Sequence, residues 1–192
     1  MSAPAAVKLM TTEEFLALPD DGIDRDLING VVHEWGPRMT RRNRVHSRLE
    51  ATLAALLVNW RRTQPEPRGA VHSGEAVCIL ARDPDVTVGI DVVYISPELA
   101  ARPMDETTMI DGVPTLAVEI LSPSNTVEEV HDKLDAYRNA GVPLVWLVDP
   151  HLRTLTVLRH DADPELFNVT QELTAEPHLP GFRVRVADIF VQ

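Results

Sequence analysis

One cysteine in 192 residues is too few for an internal disulfide, and Cys78, inside the apolar run EAVCIL, reads as a small buried hydrophobe. No apolar run approaches the roughly 18 to 20 residues of a membrane span. The start also lacks the charged head and long apolar stretch of a signal peptide. A cytoplasmic location with no membrane partner is therefore expected. Positive charge is scarce as well. Eighteen Lys and Arg against 29 Asp and Glu leave a net charge of −11, which discourages non-specific attraction to nucleic acid. The seven histidines form no HExxH pair and no Cys/His cluster, which argues against zinc. G-x-S-x-G, P-loop and dinucleotide glycine patterns are also missing.

What is present is enough apolar sequence for one domain with a substantial core. Only the tail, residues 1–9, is expected to be disordered; residues 10–192 read as a single domain. The basic residues that exist are clustered. GPRMTRRNRVHSR places Arg38, Arg41, Arg42, Arg44 and Arg48 between Glu34 and Glu50 with no acid among them. Such a patch can meet phosphates on an otherwise acidic surface. The plainer reading is a solvated helix start.

TTEEFLAL predicts a short helix capped by Thr11 or Thr12. RDLINGVVHEW predicts a hairpin, since Asn29-Gly30 suits a type I′ turn. A long helix is expected from about Thr40 to Arg62, with Val45, Leu49, Leu53, Leu56, Leu57 and Trp60 on its apolar face. Three β-type runs follow, GEAVCIL, IDVVYIS and PTLAVEILS, the last two apolar enough for central strands. A second helix spans about Val127 to Asn139, with Thr126 and Glu129 as a capping box. PLVWLVD, TLTVLRH and LFNVTQ supply further strands, and LPGFRVRVADIF a short strand and a last helical turn. The fold class is α/β (α+β), two helices on a mixed sheet. Trp35, Trp60 and Trp146 are expected in the core.

Two charges interrupt those apolar runs. Asp91 opens IDVVYIS and Glu119 sits inside TLAVEILSPS. A charge in a buried strand costs several kcal/mol unless it is paired or binds a metal. Strand alternation puts Asp91 with Val93 and Ile95, and Glu119 with Thr115, Ala117 and Leu121. If the strands are neighbours, both carboxylates enter one cleft. With the Ile120 carbonyl they would suffice for Mg²⁺, or Mn²⁺ in its place, because magnesium often takes only one or two carboxylates plus waters. On the second helix, Val127, Val130, Leu134 and Tyr137 define the buried stripe. Lys133 lies on its shoulder, facing the sheet margin, and Asp132 points to the far side. Plainer readings exist: Asp91 as a loop cap, Lys133 as a surface partner of Glu129, His46 as a helix-surface histidine.

IDVVYIS, AVEILSPSN, KLDAYRNAGVPLVWLVDP and LPGFRVRVADIF together resemble the Uma-two family of restriction-endonuclease-like proteins, within the PD-(D/E)XK nuclease superfamily. The resemblance runs over roughly residues 10 to 191. It implies a restriction-endonuclease-like mixed sheet flanked by helices, Asp91 and Glu119 as magnesium ligands, and a catalytic lysine moved to the following helix, where Lys133 stands. RDLINGVV matches a hairpin preceded by an acid, so Asp26, in place of the usual glutamate, becomes a candidate third ligand. Ile90 replaces the proline of the family's PD pair. His46 matches a histidine near the start of the long helix and joins Arg41, Arg42 and Arg44 as candidate phosphate contacts. The expected function is a magnesium-dependent DNA endonuclease, with a homodimer favoured for cutting both strands. The alternative is a non-catalytic interaction or DNA-binding protein on the same scaffold.

Overall fold

The computed structural model describes residues 8–37, 44–103, 108–123 and 125–191. The N-terminal tail to residue 7 and the segment holding Arg38, Arg41 and Arg42 lie outside the described residues. Helix α1 (Thr12–Leu16) starts in a reciprocal box, the Thr11 hydroxyl accepting from the Glu14 amide and the Glu14 carboxylate from the Thr11 amide. Strands β1 (Ile23–Ile28) and β2 (Val31–Pro37) form the hairpin, with φ of 53° at Asn29 and 74° at Gly30 as a type I′ turn requires. Helix α2 (Arg44–Thr63) buries Leu49, Leu53, Leu57 and Trp60, one stripe at helical spacing. Val45, one turn earlier, is exposed because the stripe begins only where the helix meets the sheet.

The chain then runs through β3 (Ala70–Ala81), β4 (Val86–Ile95), α3 (Pro97–Ala100), β5 (Ile110–Asp111) and β6 (Leu116–Ile120). Helix α4 (Val127–Ala140) returns the chain to β7 (Leu144–Asp149), which lies parallel to β6, so β6-α4-β7 is a crossover unit. Its capping box is the predicted one, Thr126 with Glu129, and Gly141 ends it. Val127 does not join the buried stripe. It is 88% exposed, since its position in the first turn projects past the sheet. Strands β8 (Thr154–Arg159) and β9 (Ala162–Asn168) complete the sheet by antiparallel pairing. Strands β10 (Glu172–Thr174) and β11 (Arg183–Arg185) form a separate pair, followed by α5 (Val186–Ile189). Among the described residues the main sheet has nine strands, and no helix is long and apolar enough to cross a membrane.

Each face of the sheet carries its own core. On one, Leu49, Leu53 and Trp60 of α2 meet Val92, Val118, Trp146 and residues of the C-terminal segment. On the other, Ala136 and Tyr137 of α4 meet Cys78, Val93, Ala117 and Val145.

Strand β4 organises the centre. One of its edges runs along β3 for its whole length. The opposite edge is divided: Thr87 pairs with Leu27 of β1, whereas Val92 to Tyr94 pair with Val118 to Leu116 of β6. Residues 88–91 face the split between those two partners. Across from the split, β3 bulges. Ser73 pairs with Val92 and Ala76 with Ile90, so Gly74 and Glu75 together oppose Asp91. Their φ values of 89° and 58° put both in the left-handed region. A bulge adds local twist and re-aims side chains. Accordingly, Val86, Val88 and Ile90 share a core layer with Val93 and Ile95, and simple alternation reverses at Asp91.

Candidate active site

The antiparallel register of β4 and β6, carried one step past Val92–Val118, sets Asp91 against Glu119. The ladder stops there because the Asp91 side chain takes over: Oδ2 accepts the Ile120 N–H at 2.8 Å. The other oxygen, Oδ1, lies 3.1 Å from His46 Nε2, so that nitrogen is the donor. Asp91 is only 6% exposed. Burial pushes its carboxyl up, but the His46 bond and charge, the Ile120 amide and the Lys133 ammonium outweigh it and hold the group below its ordinary value.

Glu119 projects to the α4 side. Its Oε1 lies 3.0 Å from Lys133 Nζ and also accepts the Tyr137 hydroxyl. Burial, reinforced by Asp91, prevails over Lys133 and Tyr137 and holds the Glu119 carboxyl up to about 7. Lys133 stays charged. Burial pulls its ammonium down, but Glu119, Asp26 and Asp91 more than compensate and raise it above its ordinary value. The surface pairing with Glu129 does not form, because the Glu129 carboxylate caps α4 through the Thr126 amide at 2.8 Å.

Asp26 bridges the split. Its Oδ1 accepts the Gly89 N–H of β4 at 2.9 Å, and Oδ2 accepts the Trp35 indole N–H of β2 at 2.7 Å. Lys133 Nζ is 3.8 Å from the same Oδ2. Asp26 and Glu119, from two strands, thus share one lysine, and Asp91 of a third feels its charge. Asp132 does not point away from the sheet: its Oδ2 is 3.5 Å from His33 Nδ1 on β2, tying α4 to the hairpin a second time.

Asp26, His46, Asp91, Glu119 and Lys133 line a cleft of about 940 Å³, as do Phe15, Leu16 and Leu18. Ile120 lines it too, and Arg44 is exposed at the start of α2. Arg41 and Arg42 lie outside the described residues. Among the described residues no three His, Cys, Asp or Glu side chains converge into a ready-made cation cage. The donor chemistry still suits a hard cation, since two carboxylates with waters are a common magnesium set. Thiolate and imidazole clusters that would favour softer metals are not part of the floor.

The comparisons with known proteins bear on the family and the fold. Residues 12–187 match the Uma2 family, described as "Putative restriction endonuclease". The chain belongs to that family. The crystal structure of a "putative nuclease belonging to DUF820" from Anabaena variabilis ATCC 29413 shares the Uma2 chain's fold, with a TM-score of 0.76 at 19% sequence identity. The match covers 94% of this chain and 97% of that one, and at such identity it speaks for the fold, a mixed sheet flanked by helices. No curated protein matches.

Two members of this Uma2 site, Tyr137 and Trp35, escape sequence reasoning, and a third, His46, is expected there as a phosphate contact and not as a partner of Asp91. His46 looks like a helix-surface histidine, yet it meets a carboxylate 45 residues away in the chain. Tyr137 reads as part of an apolar stripe, and its hydroxyl bond to Glu119 has no one-dimensional signal. Trp35, expected in the core, is only partly buried and donates to Asp26 at the cleft.

Proposed function

We propose that this Uma2 protein is a magnesium-dependent DNA endonuclease that hydrolyses phosphodiester bonds. The observation that carries the reading is buried Asp91 opposite half-buried Glu119, with Lys133 Nζ 3.0 Å from the glutamate. Withdrawing three acids from water around one lysine is costly and not something that folding requires, and such clusters concentrate at functional sites. Asp91 and Glu119 are the ligands for Mg²⁺, with Mn²⁺ able to substitute and the Ile120 carbonyl a third candidate donor. When bound, the ion would acidify a water and offset charge on the phosphate. Lys133 orients the attacking water and steadies the phosphate oxygens. Asp26 is the third candidate acid: its oxygens accept from Gly89 and Trp35, and its Oδ2 lies 3.8 Å from Lys133 Nζ, so it also helps to hold the lysine. His46 holds Asp91 and faces the cleft, while Arg41, Arg42 and Arg44 are candidate phosphate contacts. A cytoplasmic location and a homodimer accompany this reading, the latter because one site per chain cuts one strand. Sedimentation of the purified protein tests the dimer.

The test is nicking of supercoiled plasmid and single-stranded DNA at low salt with Mg²⁺, Mn²⁺ or EDTA, using wild type and Glu119→Gln. Cutting by wild type alone, lost in EDTA, supports the assignment. Equal cutting by both proteins would show that the acid is misplaced. A second reading, a non-catalytic interaction or DNA-binding protein, draws on the net charge of −11 and on an ion cluster that is already self-satisfied. It predicts no gain in thermal stability on adding Mg²⁺, whereas a ligand that binds only the folded state must stabilise it.

A further inference from the structure

We infer that Tyr137 is a positioning residue: it anchors Glu119 through Oε1, so that Lys133 can leave that oxygen when a divalent cation arrives. The inference rests on the metal-dependent reading above. Lys133 and Tyr137 stand one turn apart on α4, and residues at i and i+4 share a helix face. Both deliver a donor to one atom, Glu119 Oε1. Oε1 is then the held oxygen, and Oε2 the one that the carboxylate would offer to the cation.

The two donors differ in what release costs them. Tyr137 is fully buried in the core layer with Cys78 and Val93. Its hydroxyl has no water to turn to, and an unsatisfied buried donor bears its whole desolvation penalty. The Lys133 side chain keeps 21% of its surface open to the cleft and has Asp26 within 3.8 Å as a second partner. Lys133 also supplies the positive charge that a cation at Glu119 would replace. Two like charges on one carboxylate repel, so with a cation bound the Lys133 ammonium would turn toward the cleft, where a water and a phosphate would lie. Tyr137 is neutral and feels no such repulsion. It keeps Glu119 in place while its neighbour moves.

Tyr137→Phe removes one oxygen and keeps the ring. The readouts are Mn²⁺ affinity by calorimetry without DNA, steady-state nicking, and the unfolding midpoint in EDTA. The expected result is a loss of about 10–100-fold in Mn²⁺ affinity or turnover, the range typical when a group supporting a metal ligand is removed, with KM for DNA unchanged. Lys133→Met supplies the contrast. It should abolish nicking yet leave Mn²⁺ affinity equal or tighter, because the competing ammonium is gone. Tyr137→Phe with a lower unfolding midpoint but unaltered affinity and turnover would reduce Tyr137 to packing and overturn the inference. Weaker Mn²⁺ binding in Lys133→Met would overturn the exchange. If wild type binds no Mn²⁺ at all, the metal-dependent reading itself fails, an outcome distinct from either.

Discussion

Glu119 holds a proton more tightly in the folded protein than in the unfolded chain, because burial lifts its carboxyl from an ordinary 4.5 to about 7. Between those values the folded state binds more protons, so stability must fall as pH rises through that window. The expected slope amounts to about 1–3 kcal/mol across the interval. Asp91 acts in the opposite sense and in a separate range. Its lowered carboxyl contributes stability that is present above the ordinary 3.8 and lost as pH falls further. Urea unfolding in EDTA at pH 5, 6, 7 and 8 checks the first effect. Glu119→Gln should flatten the slope, and an unchanged slope would place the titration elsewhere. At this scale the acids were legible in the sequence because each is a charge inside an apolar run, and Lys133 because helical angle alone sets it at the sheet margin. The Tyr137 hydroxyl was not legible, and His46 was singled out only through the family resemblance, as a phosphate contact and not as a partner of Asp91. A surface-like histidine and a stripe tyrosine carry no mark of a partner that only folding brings within reach.

The bulge in β3 shows how an element can shape a site without lending it a functional group. Gly74 has φ of +89°, and a side-chain Cβ there would meet only Glu50 Oε1 at 3.9 Å. Gly74→Ala therefore costs backbone conformation rather than space, about 1–2 kcal/mol. Gly141 at the end of α4 is a matched control, with φ of +78° and nothing within 4 Å. Both alanine variants should lose similar stability in urea. Only Gly74→Ala should also weaken Mg²⁺ binding, since its bulge opposes Asp91 and Gly141 lies away from the cleft. Equal metal affinity in the two variants would mean that the bulge does not aim the aspartate. Most elements could be read from pattern: the hairpin turn, the α1 cap, the Thr126–Glu129 capping box and the α2 stripe from Leu49 onward stand where residue types demand. The phase reversal at Asp91 could not. Regular alternation puts Asp91 in step with Val93 and Ile95, whereas the folded strand carries Val86, Val88 and Ile90 into that same layer. The run GEAVCIL starts inside the bulge and gives no sign that the strand continues back to Ala70.

On the scale of the whole molecule, the candidate site is the place where the two core layers touch through polar groups. His46 reaches Asp91 from α2, which covers one face, while Lys133 and Tyr137 reach Glu119 from α4, which covers the other. They meet at the split in the edge of β4, bounded by the hairpin through Asp26. A net charge of −11 makes that junction repulsive in proportion to the acids it gathers, and the lysine is their main internal counterweight. A divalent cation would add charge where the fold most lacks it, and would do so between the layers rather than within one. Binding at about 100 times the dissociation constant should add about 2.7 kcal/mol to stability, which for a domain of this length corresponds to roughly 5–10 °C in Tm. The gain should come as one transition, and amide exchange should slow in α2 as well as in α4, because both helices are anchored to the liganded pair. Protection confined to α4 would separate His46 from the metal centre and leave Asp91 outside it. Protection of both helices, lost in Glu119→Gln, is the outcome that a site built across the sheet requires.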